Sequence, residues 1–172
     1  MPRVTAPDTK SAAVNAWDCF SPGDLATDNP LDMFGGKHIG QLELTNMQIS
    51  NMFPTHTYFH VQKWYARTNV VMRDALSEDV WHAWRQATVA TLYIGQRPMT
   101  MRPLPELDGE LAINHVVPAA ERFSVRIWTN QSALRALLDL VPPPGRPEPA
   151  PRALIWVHLE GQQVIYPPDG SY

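Results

Sequence analysis

The chain has 172 residues, 17 of them proline, with an apolar fraction of 44%, a charged fraction of 18% and a formal net charge of -3. That length suits one domain able to bury roughly 70% of its unfolded surface without metal or disulfide support, and the lack of a global basic field argues against direct binding of duplex nucleic acid. No apolar run approaches the roughly 18 residues of a membrane-spanning helix, the first residues lack the apolar stretch of a secretory signal, and the single cysteine, Cys19, excludes an internal disulfide.

A charged fraction below the roughly 25% of ordinary soluble domains implies that part of the surface is covered by a partner. Eleven arginines stand against three lysines, Lys10, Lys37 and Lys63. Together with proline-stiffened loops this suits a thermophilic protein, and a GC-rich coding sequence produces the same bias.

Residues 1–37 carry Pro2, Pro7, Pro22 and Pro30 and hold neither helical nor strand periodicity for long, which predicts an extended N-terminal arm. Its apolar knots, Trp17-Cys19-Phe20 and Leu31-Met33-Phe34, predict that it lies on a surface. Gly35-Gly36 marks its end. Residues 38–172 form the second unit, one β-domain. Gln41-Leu42-Glu43-Leu44 alternates as a half-covered strand does, and after Thr45-Asn46 the apolar phase shifts to Met47 and Ile49, as at a bulge or corner. Tyr58 to Tyr65, dense in aromatic and β-branched residues, is the clearest strand, and Pro54 precedes it in a turn.

A short helix follows over Ser77–Arg85, with Leu76, Val80 and Trp84 in one stripe widened by Trp81. Ser77 is its cap, and Glu78 and Asp79 occupy its first turn. Strand composition returns over Thr88–Ile94 and stops at Gly95. Pro98, Pro103 and Pro105 restrict 97–107 to an edge strand or an extended loop. Asp108-Gly109 reads as a tight turn into the strand Leu111–Val117. In Arg122–Trp128, Phe123, Val125 and Ile127 face inward and Arg122, Ser124 and Arg126 outward.

Ser132 opens a second helix with Leu134, Leu137, Leu138 and Val141 on one face. It is ended by a stiff connector, 142–151, that holds six prolines. Ala153–Leu159 and Gln162–Tyr166 read as a hairpin across Glu160-Gly161. The total is about eight strands with two short helical inserts, an all-β fold of the single jelly-roll sandwich or barrel type.

No spacing of reactive side chains suits catalysis, cofactor binding or metal binding, and no residue is assigned to such a site. Cys19 has no histidine beside it and reads as a small buried hydrophobe. His56 and His60 would share a metal on a helix, but in a strand their Cβ atoms lie about 13 Å apart. His38, His82, His115 and His158 are scattered singly, without the His-x-His and Glu of a cupin. There is no Gly-x-Ser-x-Gly, and the run Gly35-Gly36-Lys37-His38-Ile39-Gly40 lacks the spacing of a phosphate loop. The acid pairs Glu78-Asp79 and Asp108/Glu110 are explained by a helix start and a turn. Trp64, Trp81, Trp84, Trp128 and Trp156 read as core or interface anchors rather than a sugar platform.

Leu42-Glu43-Leu44-Thr45-Asn46, Phe59 to Asn69, Phe123-Ser124-Val125-Arg126-Ile127 and Val157-His158-Leu159-Glu160-Gly161 spread over most of residues 39–166. On these segments the chain resembles the smaller major capsid proteins, single jelly rolls, of tailless icosahedral phages of Thermus that enclose an internal membrane. The resemblance implies a non-enzymatic viral structural protein, made in the host cytoplasm and located in the virion. It implies a homodimer that co-assembles with a larger major capsid protein into a shell close to the internal membrane. The residues leave open a carbohydrate-binding or adhesion sandwich, which needs an exposed aromatic strip, and a cupin-like metalloenzyme, which needs clustered His and Glu.

Overall fold

The computed structural model describes residues 10–25, 30–35, 45–47, 52–75, 77–104, 109–140 and 153–166. They form an all-β sandwich of two four-stranded antiparallel sheets with three short helices. In chain order the strands are β1 (Lys10–Phe20), β2 (Leu31–Met33), β3 (Thr57–Thr68), β4 (Thr88–Ile94), β5 (Arg97–Pro103), β6 (Leu111–Val117), β7 (Phe123–Thr129) and β8 (Ile155–Ile165). The helices are α1 (Val70–Ala75), α2 (Glu78–Gln86) and α3 (Gln131–Leu138). The first sheet runs β1-β8-β3-β6 and the second β2-β7-β4-β5.

Hydrogen-bonded pairs therefore match β1 with β8, β2 with β7, β3 with β6 and β4 with β5, so the first strand pairs with the last and the order nests inward. Two further ladders, β3 with β8 and β4 with β7, close each sheet. β8 is the axis of the first sheet. It is in register with β1 from Ile155 opposite Phe20 to Ile165 opposite Lys10, and with β3 from Ile155 opposite Thr68 to Ile165 opposite Thr57.

Alternation along the strands builds the core. Phe59, Val61 and Trp64 of β3 and Ile155, Val157 and Leu159 of β8 face Leu92 of β4 and Phe123, Val125 and Ile127 of β7, all at most 1% exposed. Each such side chain contributes about 1.5–3 kcal/mol by leaving water. Phe123 gathers Phe34 and Phe53 at ring-centroid distances of 5.4 and 5.7 Å, and Phe53 meets Phe59 at 4.9 Å. At one end of the second sheet, α2 and α3 bury Trp84, Leu134 and Leu137. There the Thr88 and Thr129 hydroxyls bond each other at 2.7 Å, and Thr88 also donates to the Trp84 carbonyl.

The strands at 88–94 and 111–117, the edge strand after Gly95 and the inward set of β7 match the sequence reading. The region read as an arm, 1–37, instead supplies a strand to each sheet. β1 escaped notice because its inward row, Val14, Ala16, Asp18 and Phe20, contains small residues and an acid. Asp18 is buried, and its carboxylate accepts from the backbone N–H groups of Cys19 (2.9 Å) and Phe34 (2.6 Å), which ties the first sheet to the end of β2 in the second.

The Glu160-Gly161 hairpin is also corrected: β8 runs straight through it. Gly161 sits opposite Val61, where β3 carries a bulge at Gln62, and a Cβ on Gly161 would lie 1.9 Å from the His60 carbonyl oxygen. Glycine is needed for close approach of backbones rather than for a turn. α1 was not anticipated. α3 is capped by Asn130, whose Oδ1 accepts from Ser132 N at 2.9 Å, rather than by Ser132. α2 begins after Ser77 as expected, but the Ser77 side chain makes no capping hydrogen bond. The predicted strand at 41–44, Ile49, Leu76, the turn residue Asp108, Val141 and the connector at 142–151 lie outside the described residues.

Replacing Gly161 by alanine forces the two central strands of the first sheet apart. The expected loss is about 2–4 kcal/mol in urea unfolding, against less than about 0.5 kcal/mol for the same change at Gly23, where a Cβ meets nothing within 4 Å. Equal stabilities of the two variants would contradict this account of the bulge.

Candidate functional site

The outer face of the first sheet carries the densest set of polar and aromatic groups. Alternation turns Asn15 and Trp17 of β1, Trp156, His158 and Glu160 of β8, and Lys63, Tyr65 and Arg67 of β3 away from the core. Register then sets them in rows: Trp17, His158 and Tyr65 across one, Asn15, Glu160 and Lys63 across the next, with Trp156 beside Arg67. Neighbours in such rows are close enough for direct side-chain contact.

The contacts form a relay. Tyr65 stacks on His158 with centroids 4.6 Å apart and planes at 12°. Asn15 Nδ2 donates to the Tyr65 hydroxyl at 3.0 Å, and that hydroxyl donates to Glu160 Oε2 at 3.4 Å. Asn15 Oδ1, left as an acceptor, lies 3.1 Å from His158 Nδ1. In the neutral imidazole Nδ1 is therefore the protonated nitrogen, and Nε2 remains an acceptor. Burial pushes the His158 pKa below its ordinary 6.5, the Arg67 guanidinium pushes it further down, and Glu160 partly opposes them. Burial likewise raises the Tyr65 phenol above its ordinary value. Lys63 donates to Glu110 at 3.2 Å and lies 3.6 Å from Glu160, which holds its ammonium charged to higher pH than usual.

Two open grooves flank α1 at the end of this face and share Arg67, Thr68 and Arg73. One, of about 420 Å³, is lined by Trp17, Trp156, His158 and Val70 along with those residues and Asn69. The other, of about 530 Å³, adds Met72, Glu78, Trp81 and Glu110. Asn69 fixes the corner: its Oδ1 accepts from the N–H groups of Met72 (3.1 Å) and Leu154 (3.2 Å).

The outer face of the second sheet is different. Trp128, Val89 and Pro103 lie in one row and Asp32, Arg126, Thr91 and Met101 in the next. Trp128 is 49% and Met101 65% exposed. Arg126 lies over the Tyr93 ring at 4.4 Å and 3.8 Å from Asp32.

The fold does not bring the histidines together. His56 occupies the turn before β3 with φ of 67° and accepts from Tyr166 N through its carbonyl. His60 is on β3, His82 contacts Gln86 on α2, and His115 joins Thr100 across the open edges of the two sheets at 2.7 Å. Among the described residues no group of three His, Cys, Asp or Glu could hold a metal ion. Cys19 is buried. Glu78 and Asp79 stand in the first turn of α2, while Glu110, with φ of 57°, meets Lys63 and Arg67. Of the tryptophans, Trp64 and Trp84 are core, Trp17, Trp81 and Trp156 are half-buried, and Trp128 is exposed. Sequence reasoning missed the relay because its members come from three strands far apart in the chain. The alternation in Trp156-Val157-His158-Leu159-Glu160 is the signal that could have placed half of it on one face.

Comparison with protein-family models, curated proteins and solved structures finds no match. No helix among the described residues is long and apolar enough to cross a membrane.

His158 makes stability depend on pH in a set direction. Its folded-state pKa lies below the free value of 6.5, so as pH falls the unfolded chain binds the proton first and stability is lost from about that point downward. Thermal unfolding between about pH 8 and 5 should show a shallower decline for His158→Gln than for the parent chain. An unchanged slope would mean that the imidazole is not shielded in this way.

Proposed function

We propose that this protein is a structural subunit of a viral shell: a single jelly roll that dimerises and packs beside a larger capsid protein, close to an internal membrane. The supporting observation is the nested pairing of β1 with β8, β2 with β7, β3 with β6 and β4 with β5. A long antiparallel ribbon doubled over and wrapped into two sheets leaves its strands in this order, which is that of the two Greek keys of a jelly roll.

The outer face of the second sheet supplies the contact surface. An exposed tryptophan and methionine on one sheet face, with Arg126 anchored over Tyr93 at their side, match the aromatic, Met and Arg enrichment of protein interfaces. The low charged fraction of 18% fits a chain much of whose surface meets copies or companions. On this reading the protein performs no chemistry and resides in the virion.

Sedimentation velocity tests the pairing. The parent chain should sediment as a dimer, and the double variant Trp128→Glu/Met101→Glu as a monomer with an unchanged far-UV spectrum, its dissociation constant raised about a hundredfold or more. A parent chain that stays monomeric up to about 1 mM would refute the proposal.

A further inference from the structure

We propose that the groove between α1 and the outer face of the first sheet binds an acidic saccharide, a uronate-bearing glycan. Trp17 and Trp156 would supply stacking faces, Arg67 and Arg73 the carboxylate contacts and His158 a hydroxyl acceptor. This goes beyond the shell reading and does not depend on it, since the shell contact is placed on the opposite sheet.

Three features of the groove carry the inference. First, Trp17 and Trp156 are diagonal neighbours on β1 and β8, Trp17 lying opposite His158 and Trp156 opposite Cys19. Both are half-buried and both line the groove, so each indole is anchored by the sheet and still presents surface to it. Aromatic faces of this kind hold the C–H face of a pyranose ring while leaving its hydroxyls to polar neighbours.

Second, the charge is one-sided. Among the described residues that line this groove, Arg67 and Arg73 are the charged groups and no carboxylate is present. The Arg67 side chain is 63% exposed, and its one acidic contact among the described residues, Glu110, is long at 3.7 Å and lies toward the neighbouring groove. An exposed pair at that distance is weak, so a ligand carboxylate offering bidentate geometry can take the guanidinium over. Two cations do not suit a polyphosphate backbone, and the net charge of -3 supplies no wider basic field.

Third, the relay orients His158. With Nδ1 donating to Asn15, Nε2 is an acceptor, and the ring is clamped by its stack on Tyr65. A fixed acceptor beside two indoles recognises a hydroxyl hydrogen, which a saccharide provides and an aliphatic chain does not.

Calorimetric titration of the full chain with trigalacturonate, and with maltotriose as neutral counterpart, tests this. Trigalacturonate should bind, with maltotriose at least about tenfold weaker. Arg73→Gln, on an exposed helix position that leaves the core intact, should weaken trigalacturonate about tenfold without lowering the melting temperature. Trp156→Ala should weaken both sugars. Equal binding of the two trisaccharides overturns the acidic specificity. Trigalacturonate binding indifferent to Arg73→Gln and Trp156→Ala, or no binding up to about 10 mM, overturns the site. Sedimentation of the same variants should still give the parent's oligomeric state, so failure here and failure of the shell reading are read separately.

Discussion

The structure depends on β8 holding β1 on one side and β3 on the other along the whole of its eleven residues. That arrangement joins residues about 150 positions apart in the chain and gives the first sheet its order. It is possible only because one central position lacks a side chain. Where β3 gains an extra residue at Gln62, its backbone presses toward β8, and Gly161 provides the space. Contacts this distant in sequence make folding slow by topology, because long loops must close before the ladders form.

The open edges of the sheets are managed in different ways. On the free side of β1, Asn46 pairs with Trp17 through its backbone N–H (3.1 Å to the Trp17 carbonyl) and its side-chain Oδ1 (2.7 Å to the Trp17 N–H), and it also donates to the Asn15 carbonyl. Backbone groups at Asn15 and Trp17 that would invite another strand are thereby taken. β5 carries Pro98 and Pro103, which cannot donate, and Thr100 on β5 meets His115 on β6 across the gap between sheets. The two outer faces differ: the first is polar, aromatic and internally hydrogen-bonded, while the second leaves Trp128 and Met101 uncovered.

Much of the fold was legible because period-two alternation is a local signal. Phe123, Val125 and Ile127 are buried where the pattern placed them, and the strand Thr88–Ile94 and the acids of α2 are where composition put them. Legibility failed where a residue served a distant partner. Asp18 reads as part of an arm, yet it sits inside because its carboxylate accepts from the N–H of its neighbour Cys19 in β1 and from that of Phe34, just past the end of β2. Gly161 reads as a turn because the nearby bulge that demands it lies on another strand. The same reason hid the candidate site: Asn15, Tyr65 and His158 have no common motif, and only register makes them neighbours.

By itself, then, the sequence determined an all-β class, the inward row of β7 and the start of α2, since each follows from residues within a few positions of one another. Tertiary structure alone decided that the first strand lies against the last, that Glu160-Gly161 is the middle of a strand, and which exposed side chains share a face. Those outcomes depend on pairing between segments that local periodicity cannot relate, and the free energy that selects them comes from burying both sheets against each other at once.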